Sequence, residues 1–316
     1  MRNPIISGSL TPYIKIARID HWFKNVFMIP GIFIAVLAEP SVIRLELGVV
    51  LFLAFLSAGF IASSNYVLNE ILDAEKDAKH PVKCLRPIPM GQVSLSLAYA
   101  QWIVLALLGF IVADMINFHF LCMVLFLWVM GGLYNIPPIR TKDKPYLDVL
   151  SESVNNPIRL LLGWYAVSTI TIPPVSLVFA YWMVGAFFMA VKRLAEYRTI
   201  NDPKRAEAYR NSFGHYTEER LLISIVYYAV TFGLFMGIFL IRYKMELIFS
   251  IPFIAGAIAW YIKIGFKENS CTQYPEKLYK EKSFVGYLIL CGVIFVTLLM
   301  VHFPWLPAFF EKTIAL

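Results

Sequence analysis

The chain has 316 residues, of which 59% are hydrophobic and only 16% are charged, and its mean hydropathy is +0.66. Because soluble domains carry about a quarter charged residues, this composition excludes an ordinary soluble protein and indicates a polytopic membrane protein. The net charge is +7, but no basic domain stands apart from the apolar segments, which argues against nucleic-acid binding.

Nine apolar segments each approach the ~20 residues that a membrane span requires. They are 22–37, 47–68, 95–113, 118–134, 147–167, 174–191, 221–241, 247–264 and 285–303. The fifth is the weakest, because Ser151, Glu152, Asn155, Asn156 and Arg159 interrupt its first half. The pattern predicts an all-α fold forming a single transmembrane domain over residues 1–316, with the first span acting as its own insertion signal. The scattered cysteines indicate neither a metal site nor a disulfide framework.

The basic residues divide unevenly between the two sets of loops. Most of the 28 Lys and Arg residues lie in the N-terminal arm and in loops 70–94, 135–146, 192–220 and 263–283. The opposite side holds only Arg44, Arg242, Lys244 and Lys312. By the positive-inside rule, the N-terminus and the four long loops are expected in the cytoplasm, as for a protein of the bacterial inner membrane.

A polar stripe begins inside the second span. Asn65, Asn69, Asp73 and Asp77 are spaced by four, which places them on one face of a helix. Carboxylate and amide oxygens suit Mg²⁺, which proteins hold with one or two carboxylates together with substrate phosphates. Basic residues follow that are expected to grip the same phosphates: Lys76, Lys79, Lys83 and Arg86. A solvated helix end is the alternative, but Asn65 and Asn69 still lie in the apolar run, where polar groups are commonly functional.

Two further polar segments follow the fourth span. Tyr134 introduces a loop with Arg140, Lys142 and Lys144, which are candidate phosphate ligands or simple positive-inside residues. Arg159 falls about two turns into the fifth span, where an arginine usually faces a partner in the protein interior. We expect a bound anion as that partner, with a snorkelling or internally paired arginine as the alternative.

The sixth span leads into the charged segment VKRLAEYRTINDPKRAEAYRNSFGHYTEERLL. Lys192 and Glu196 are four apart and are expected to pair on one helical face, beside a stripe of Arg193 and Tyr197. The alternative is a positive-inside loop with ordinary ion pairs, which contribute little.

The segment NEILDAEKDAKHPVKCLRPIPMG resembles the first Asp-rich motif of the UbiA superfamily of intramembrane transferases, approximately NDxxDxxxDxxxP followed by RPI and Gly. The matching residues are Asn69, Asp73, Asp77, Pro81, Lys83, Arg86, Pro87, Ile88 and Gly91. Glu70 departs, since Asp is usual there. The resemblance implies about nine transmembrane helices around a cavity open to the cytoplasm and to lipid, with a Mg²⁺-bound diphosphate on Asn69, Asp73 and Asp77.

The arm ARIDHWFKNVFMIP is similar to the RxxxWxKN segment of the same superfamily, through Arg18, Trp22, Lys24 and Asn25. Lys24 is expected to reach a substrate phosphate, although Trp, Lys and Arg are also ordinary interfacial anchors. The Tyr134–Lys144 loop looks like the superfamily's Tyr-containing loop.

Most aromatic prenyltransferases of the superfamily carry a second Asp-rich motif at the end of the sixth span. This chain has KRxAE followed by RxSFGHYTEERL there instead, and these segments look like the decaprenyl-phosphate phosphoribosyltransferase branch. That resemblance implies transfer of 5-phosphoribose from a water-soluble diphosphate donor to a polyprenyl phosphate in the bilayer. The expected catalytic residues are Asp73, Asp77, Lys83 and Arg86. The expected substrate-binding residues are Lys24, Asn65, Asn69, Tyr134, Arg140, Arg159, Lys192 and Glu196. Prenyl transfer from an isoprenyl diphosphate to a small acceptor is the alternative, and a transporter is a remote one because no inverted repeat is visible.

Overall fold

A computed structural model describes residues 10–78, 83–268 and 270–310. Every regular element among these residues is an α-helix or a 3-10 helix, which confirms the predicted all-α class. Contacts group the chain into two compact units, Met1–Pro173 and Pro174–Leu316.

The described residues of the first unit form seven α-helices. They are α1 (Thr11–Ala17), α2 (Ile29–Ala38), α3 (Leu45–Asp77), α4 (Leu95–Asp114), α5 (Phe118–Asn135), α6 (Leu147–Ser153) and α7 (Asn155–Val167). The second unit contains α8 (Val175–Ile200), α9 (Pro203–Tyr209), α10 (Glu218–Tyr243), α11 (Ile251–Gly265) and α12 (Lys282–Met300). Two 3-10 segments extend spans: Ile19–Met28 joins α1 to α2, and Met245–Ser250 leads into α11.

Eight helical segments in the described part of the chain are long and apolar enough to cross a membrane, and they coincide with eight of the nine predicted spans. The fifth predicted span is instead the consecutive pair α6 and α7, which part at Val154. Its polar first half explains the difference, because Ser151 donates to the Leu147 carbonyl and Asn155 donates to the Glu152 carbonyl, and such local bonds compete with a continuous apolar helix. The chain is therefore an integral membrane protein.

The long helix α3 is central to the first unit, where it packs against α4, α5 and α7. Small residues line its buried face, which lets neighbouring backbones approach closely. Ser57 donates to the Gly109 carbonyl at 2.8 Å, and Ser64 donates to the Trp102 carbonyl at 3.0 Å. Hydroxyl-to-carbonyl bonds thus tie α3 to α4 inside the membrane.

The crossing of α2 with α7 depends on two glycines. A Cβ at Gly31 would lie 2.0 Å from the Leu160 carbonyl oxygen, and one at Gly163 would lie 2.0 Å from the Met28 carbonyl oxygen. Each helix therefore places a glycine against the other's backbone. Any side chain at either position would force the helices apart.

In the second unit, α8 packs along α10, and α11 packs against both α8 and α12. The start of α10 carries a complete N-terminal signal. Thr217 caps the helix by accepting from the Arg220 amide at 3.2 Å, and Glu218 and Glu219 occupy the first turn, where negative charge is favourable.

Candidate functional site

The predicted polar stripe lies on the last three turns of α3, which continues past the apolar run to Asp77 without a break. Asp73 is the centre of a charged network. Its Oδ1 accepts from the Arg140 guanidinium at 2.7 Å and from the Lys142 ammonium at 2.8 Å. Both cations come from the loop after α5. The structure therefore brings together two of the predicted site residues, Asp73 and Arg140, with Lys142 of the same loop.

Two asparagines connect this network to α5. Asn69 donates to the Asn135 Oδ1 at 2.6 Å and to the Asp73 Oδ2 at 3.3 Å. Lys142 also donates to the Asn135 Oδ1, at 2.8 Å. Asn135, the last residue of α5, was not predicted. Its position directly after Tyr134, at the end of an apolar run, was the available signal.

The backbone and the remaining contacts of the loop hold both cations in place. Arg140 has φ 31° and ψ 63°, a left-handed conformation that is uncommon for a residue other than glycine. Its guanidinium also donates to Asp143 at 2.9 Å and to the Asn135 carbonyl at 3.2 Å. Lys142 is buried, with its ammonium 5.9 Å from the centre of the Tyr134 ring. Burial lowers the pKa of Lys142 to about 8, against the opposing effect of Asp73.

The segment after α3 folds back onto the helix end. Arg86 donates to Asp77 at 2.6 Å, and the buried Glu70 accepts from the Ile88 amide at 3.2 Å. Gly91 closes this turn with φ +72°, which favours glycine. Lys83 lies in the short 3-10 segment Lys83–Leu85. Glu70, the departure from the usual motif, thus serves as an anchor for the backbone.

Lys79 and Pro81 of the motif lie outside the described residues. Asn65 lies one turn deeper than Asn69 and donates to the Leu127 carbonyl of α5 at 3.0 Å. Its side chain packs on Gly131, where a Cβ would lie 2.2 Å from the Asn65 Oδ1. The visible role of Asn65 is to join α3 to α5.

The N-terminal arm lies along the same helix. Trp22 donates to Ser63 at 2.8 Å and packs on Gly59. Tyr66 receives two cations on its ring, with Arg18 at 5.2 Å and Lys24 at 5.8 Å from the ring centre. Tyr66 was not predicted as a site residue.

Arg159 is buried on α7 and points at polar atoms of its own unit. It donates to the Asn25 side chain and to the Asn155 carbonyl, both at 3.2 Å. The first contact joins α7 to the arm. The bound anion expected beside Arg159 stays a prediction.

In the second unit, Lys192 and Glu196 both lie near the end of α8. Glu196 forms an ion pair with Arg193, at 2.9 Å, and its expected pairing with Lys192 stays a prediction. Arg193 and Glu196 are both buried. Lys192 and Arg210 act on the Glu196 carboxylate electrostatically. The spacing of three places Arg193 on the same helical face as Glu196.

The oxygen donors on α3 fit Mg²⁺ held jointly with a substrate. Asp73 and Asp77 supply carboxylates on successive turns, and Asn69 supplies an amide. Among the described residues, no three His, Cys, Asp or Glu side chains cluster as an all-protein metal cage. Two carboxylates are what Mg²⁺ uses when phosphates and water complete its coordination.

Comparison with known proteins identifies this architecture. The model of the UbiA prenyltransferase family matches residues 27–288. The fold is that of a UbiA homolog from Archaeoglobus fulgidus bound to GPP and Mg²⁺, with a TM-score of 0.66 over 92% of this chain and 100% of that chain, at 19% identity. The fold and the family define a membrane-embedded transferase. The chain belongs to the UbiA prenyltransferase family.

Curated relatives narrow the resemblance within the family. The chain is 28% identical over 207 residues to decaprenyl-phosphate phosphoribosyltransferase of Mycolicibacterium smegmatis, covering 63% of each protein. It is 25% identical over 267 residues to protoheme IX farnesyltransferase of Colwellia psychrerythraea, covering 80% of each. Matches to the first curated relatives span between 30% and 67% of their length. The predicted likeness to the phosphoribosyltransferase branch is confirmed.

Proposed function

We propose that this protein transfers 5-phosphoribose from phosphoribosyl diphosphate to a polyprenyl phosphate, with Mg²⁺ as cofactor. The main support for this proposal is the scarcity of carboxylates at the end of α8. From residue 192 to residue 200 the only carboxylate is Glu196, and it is paired with Arg193. A second metal on an isoprenyl diphosphate needs further carboxylates there. The basic residues of this segment, Lys192, Arg193 and Arg198, suit the binding of a second phosphate instead.

The residues of the first unit have distinct roles in this reaction. Asp73 and Asp77, with Asn69, would hold Mg²⁺, which supplies Lewis-acid stabilisation of the leaving diphosphate. Arg140 and Lys142 add positive charge where negative charge develops as the C1–O bond to diphosphate breaks. A phosphate oxygen of the lipid forms the new bond to C1. Because that oxygen is already anionic, no strong general base is required.

The proposed substrates reach the site from two phases. The diphosphate donor comes from the cytoplasm, where the positive-inside rule predicts the end of α3 and the loop after α5 to lie. The isoprenoid acceptor comes from the bilayer of the bacterial inner membrane. Lys83, Arg86, Lys24, Tyr134 and Arg159 are proposed to contact the phosphates or to shape their site. Lys192 is proposed to bind a phosphate at the end of α8.

Prenyl transfer to an aromatic or other small acceptor is the second candidate. It is favoured by the farnesyltransferase relative, which aligns over 80% of both chains. This reaction shares the Mg²⁺-bound diphosphate and differs in the group that moves.

The deciding experiment compares the donors. Purified protein is incubated with Mg²⁺, a polyprenyl phosphate and phosphoribosyl diphosphate labelled in the ribose. We expect label in the lipid fraction, and none with Asp73→Ala or Asp77→Ala. Glu75→Ala, an exposed carboxylate on the same helix, is the matched control and should retain activity. Turnover of an isoprenyl diphosphate with an aromatic acceptor, without labelled lipid, refutes the proposal.

A further inference from the structure

Tyr66 lies on the same face of α3 as the acidic stripe, but deeper in the span. It precedes Asp73 by seven residues, or almost two turns, so the two side chains project in nearly the same direction. At 1.5 Å per residue, the axial separation is about 10 Å. A group held at Tyr66 therefore lies on the membrane side of a diphosphate held at Asp73.

The ring of Tyr66 gathers basic side chains from the N-terminal arm. Arg18 and Lys24 lie 5.2 Å and 5.8 Å from the ring centre, within the range of cation–π attraction, and the His21 ring lies at 5.2 Å. Arg18 adopts a left-handed backbone (φ 49°) between α1 and the 3-10 segment Ile19–Met28, where the chain changes direction. Trp22 fixes the same segment to α3 through Ser63 and Gly59. The cations are thus placed by the fold.

These two cations lack a carboxylate partner in the part of the chain that the structure describes. Asp20 lies 3.5 Å from His21, and the Glu70 carboxylate accepts from the Ile88 amide while acting on Arg18 only at longer range. Arg18 makes one described side-chain hydrogen bond, to His21 at 2.5 Å. Both cations are half-buried. Half-buried positive charge that no described carboxylate pairs with favours an anionic ligand.

We propose that Arg18 and Lys24, positioned by Tyr66, bind a phosphomonoester, and that this group is the phosphate of the isoprenoid lipid. This inference rests on the proposed function for the identity of the lipid. The depth of Tyr66 favours the lipid phosphate, because the group lies between the diphosphate position and the bilayer interior. The 5-phosphate of the donor has the same chemistry, so the test separates the two sources.

The test uses full-length protein in detergent with geranyl phosphate, a short isoprenyl monophosphate, and measures its dissociation constant by calorimetry. Tyr66→Leu should weaken binding about tenfold because it removes the ring that holds both cations. Tyr66→Phe should remain within about twofold of wild type, since the ring is retained. Tyr243→Leu is the matched control, because Arg242 lies 5.8 Å from that exposed ring, and it should change nothing.

Steady-state kinetics then identify which phosphate occupies the site. For Tyr66→Leu we expect the KM for polyprenyl phosphate to rise and the KM for phosphoribosyl diphosphate to stay unchanged, which also shows that the variant folds. A rise in the donor KM alone overturns the lipid assignment. Equal loss in Tyr66→Leu and Tyr66→Phe, or no loss in either, overturns the site itself.

The positioning role of Tyr66 is tested by combining Tyr66→Leu with the double variant Lys24→Ala, Arg18→Ala. If Tyr66 acts through Lys24 and Arg18, adding Tyr66→Leu to Lys24→Ala and Arg18→Ala should weaken geranyl phosphate binding no further. If Tyr66→Leu weakens geranyl phosphate binding as much in the combined variant as in the wild-type protein, Tyr66 does not act through Lys24 and Arg18. If wild type transfers no phosphoribose yet binds geranyl phosphate with this dependence on Tyr66, the proposed function fails and the phosphomonoester site stands.

Discussion

Asp73 receives two cations on one carboxylate oxygen, and they differ in how they are held. Arg140 is fixed by three further features: its contact with Asp143, its contact with the Asn135 carbonyl and its left-handed backbone. Lys142 is the more buried of the two. A buried ammonium beside a carboxylate supplies concentrated charge where a diphosphate would leave.

We therefore predict that Lys142→Met lowers kcat/KM about 100-fold, since one preorganised donor is removed from the leaving-group site. Lys142→Arg should recover part of this loss. Lys144→Met is the control because Lys144 is exposed in the same loop. Steady-state kinetics with labelled donor measure all three. Equal effects of Lys142→Met and Lys144→Met would show that the loop contributes only general charge.

Glu70 gives a second prediction, which concerns stability. Its side chain reaches the Ile88 amide, and Asp is one methylene shorter. Glu70→Asp should leave that buried amide unsatisfied and destabilise the protein by about 1–3 kcal/mol. A fall in Tm in detergent, with faster proteolysis after residue 83, is the expected result. Glu75→Asp, on the exposed side of α3, should leave Tm unchanged.

The spacing of residues along α3 was sufficient to predict that Asn69 and Asp73 share a face, because helical periodicity fixes it. The sequence predicted that basic residues would lie near Asp73, but it did not predict which of them bond to its carboxylate. Arg140 and Lys142 reach Asp73 only because the loop adopts a left-handed turn, which the sequence does not mark with a glycine. Tyr66 was missed because its partners lie more than 40 residues away in the arm.

At the scale of helices, apolar length located eight spans, since hydrocarbon thickness sets a minimum length. It did not locate the end of α3, because a helix leaving the membrane can continue with polar residues. It also treated α6 and α7 as one span. There the polar residues that lowered the hydropathy are those at which the helix divides.

The α2–α7 crossing yields a prediction about packing. Gly163→Ala places a methyl group 2.0 Å from the Met28 carbonyl oxygen, so the two helices must separate. We expect a loss of about 3 kcal/mol or more, seen as a lower Tm and lower yield of folded protein. Gly237→Ala on α10 is the matched control, because nothing lies within 4 Å of its Cβ position. There the better helix propensity of alanine should leave Tm equal or higher. Equal Tm values for the two variants would contradict the close crossing.

For the whole molecule, the fold is retained at 19% identity to a solved relative, so helix packing constrains the sequence loosely. The distribution of charged residues constrains the sequence through the orientation of the chain in the membrane. The polar network on α3 and the Tyr134–Lys144 loop are in contact and share one side of the membrane, and the basic loops predict that this side is cytoplasmic. Orientation is therefore a condition of the proposed function, because the donor is water-soluble.

This condition leads to the final prediction. Reporter fusions after Lys144 should behave as cytoplasmic, and fusions after Arg44 should behave as lying on the opposite side. The reason is that basic residues are concentrated in the loop that holds Lys144 and sparse in the loop that holds Arg44. Transferring positive charge from the Lys144 loop to the Arg44 loop should change the orientation in which the chain inserts. Replacing Lys142 and Lys144 by glutamine while adding three lysines after Arg44 should produce mixed orientation in the reporter signals. The same loop made polar but uncharged by three added serines is the control and should keep the original orientation. A cytoplasmic signal after Arg44 in the unmodified chain would place the Asp73 network on the far side of the membrane from its diphosphate donor, and would refute the proposed reaction together with the topology.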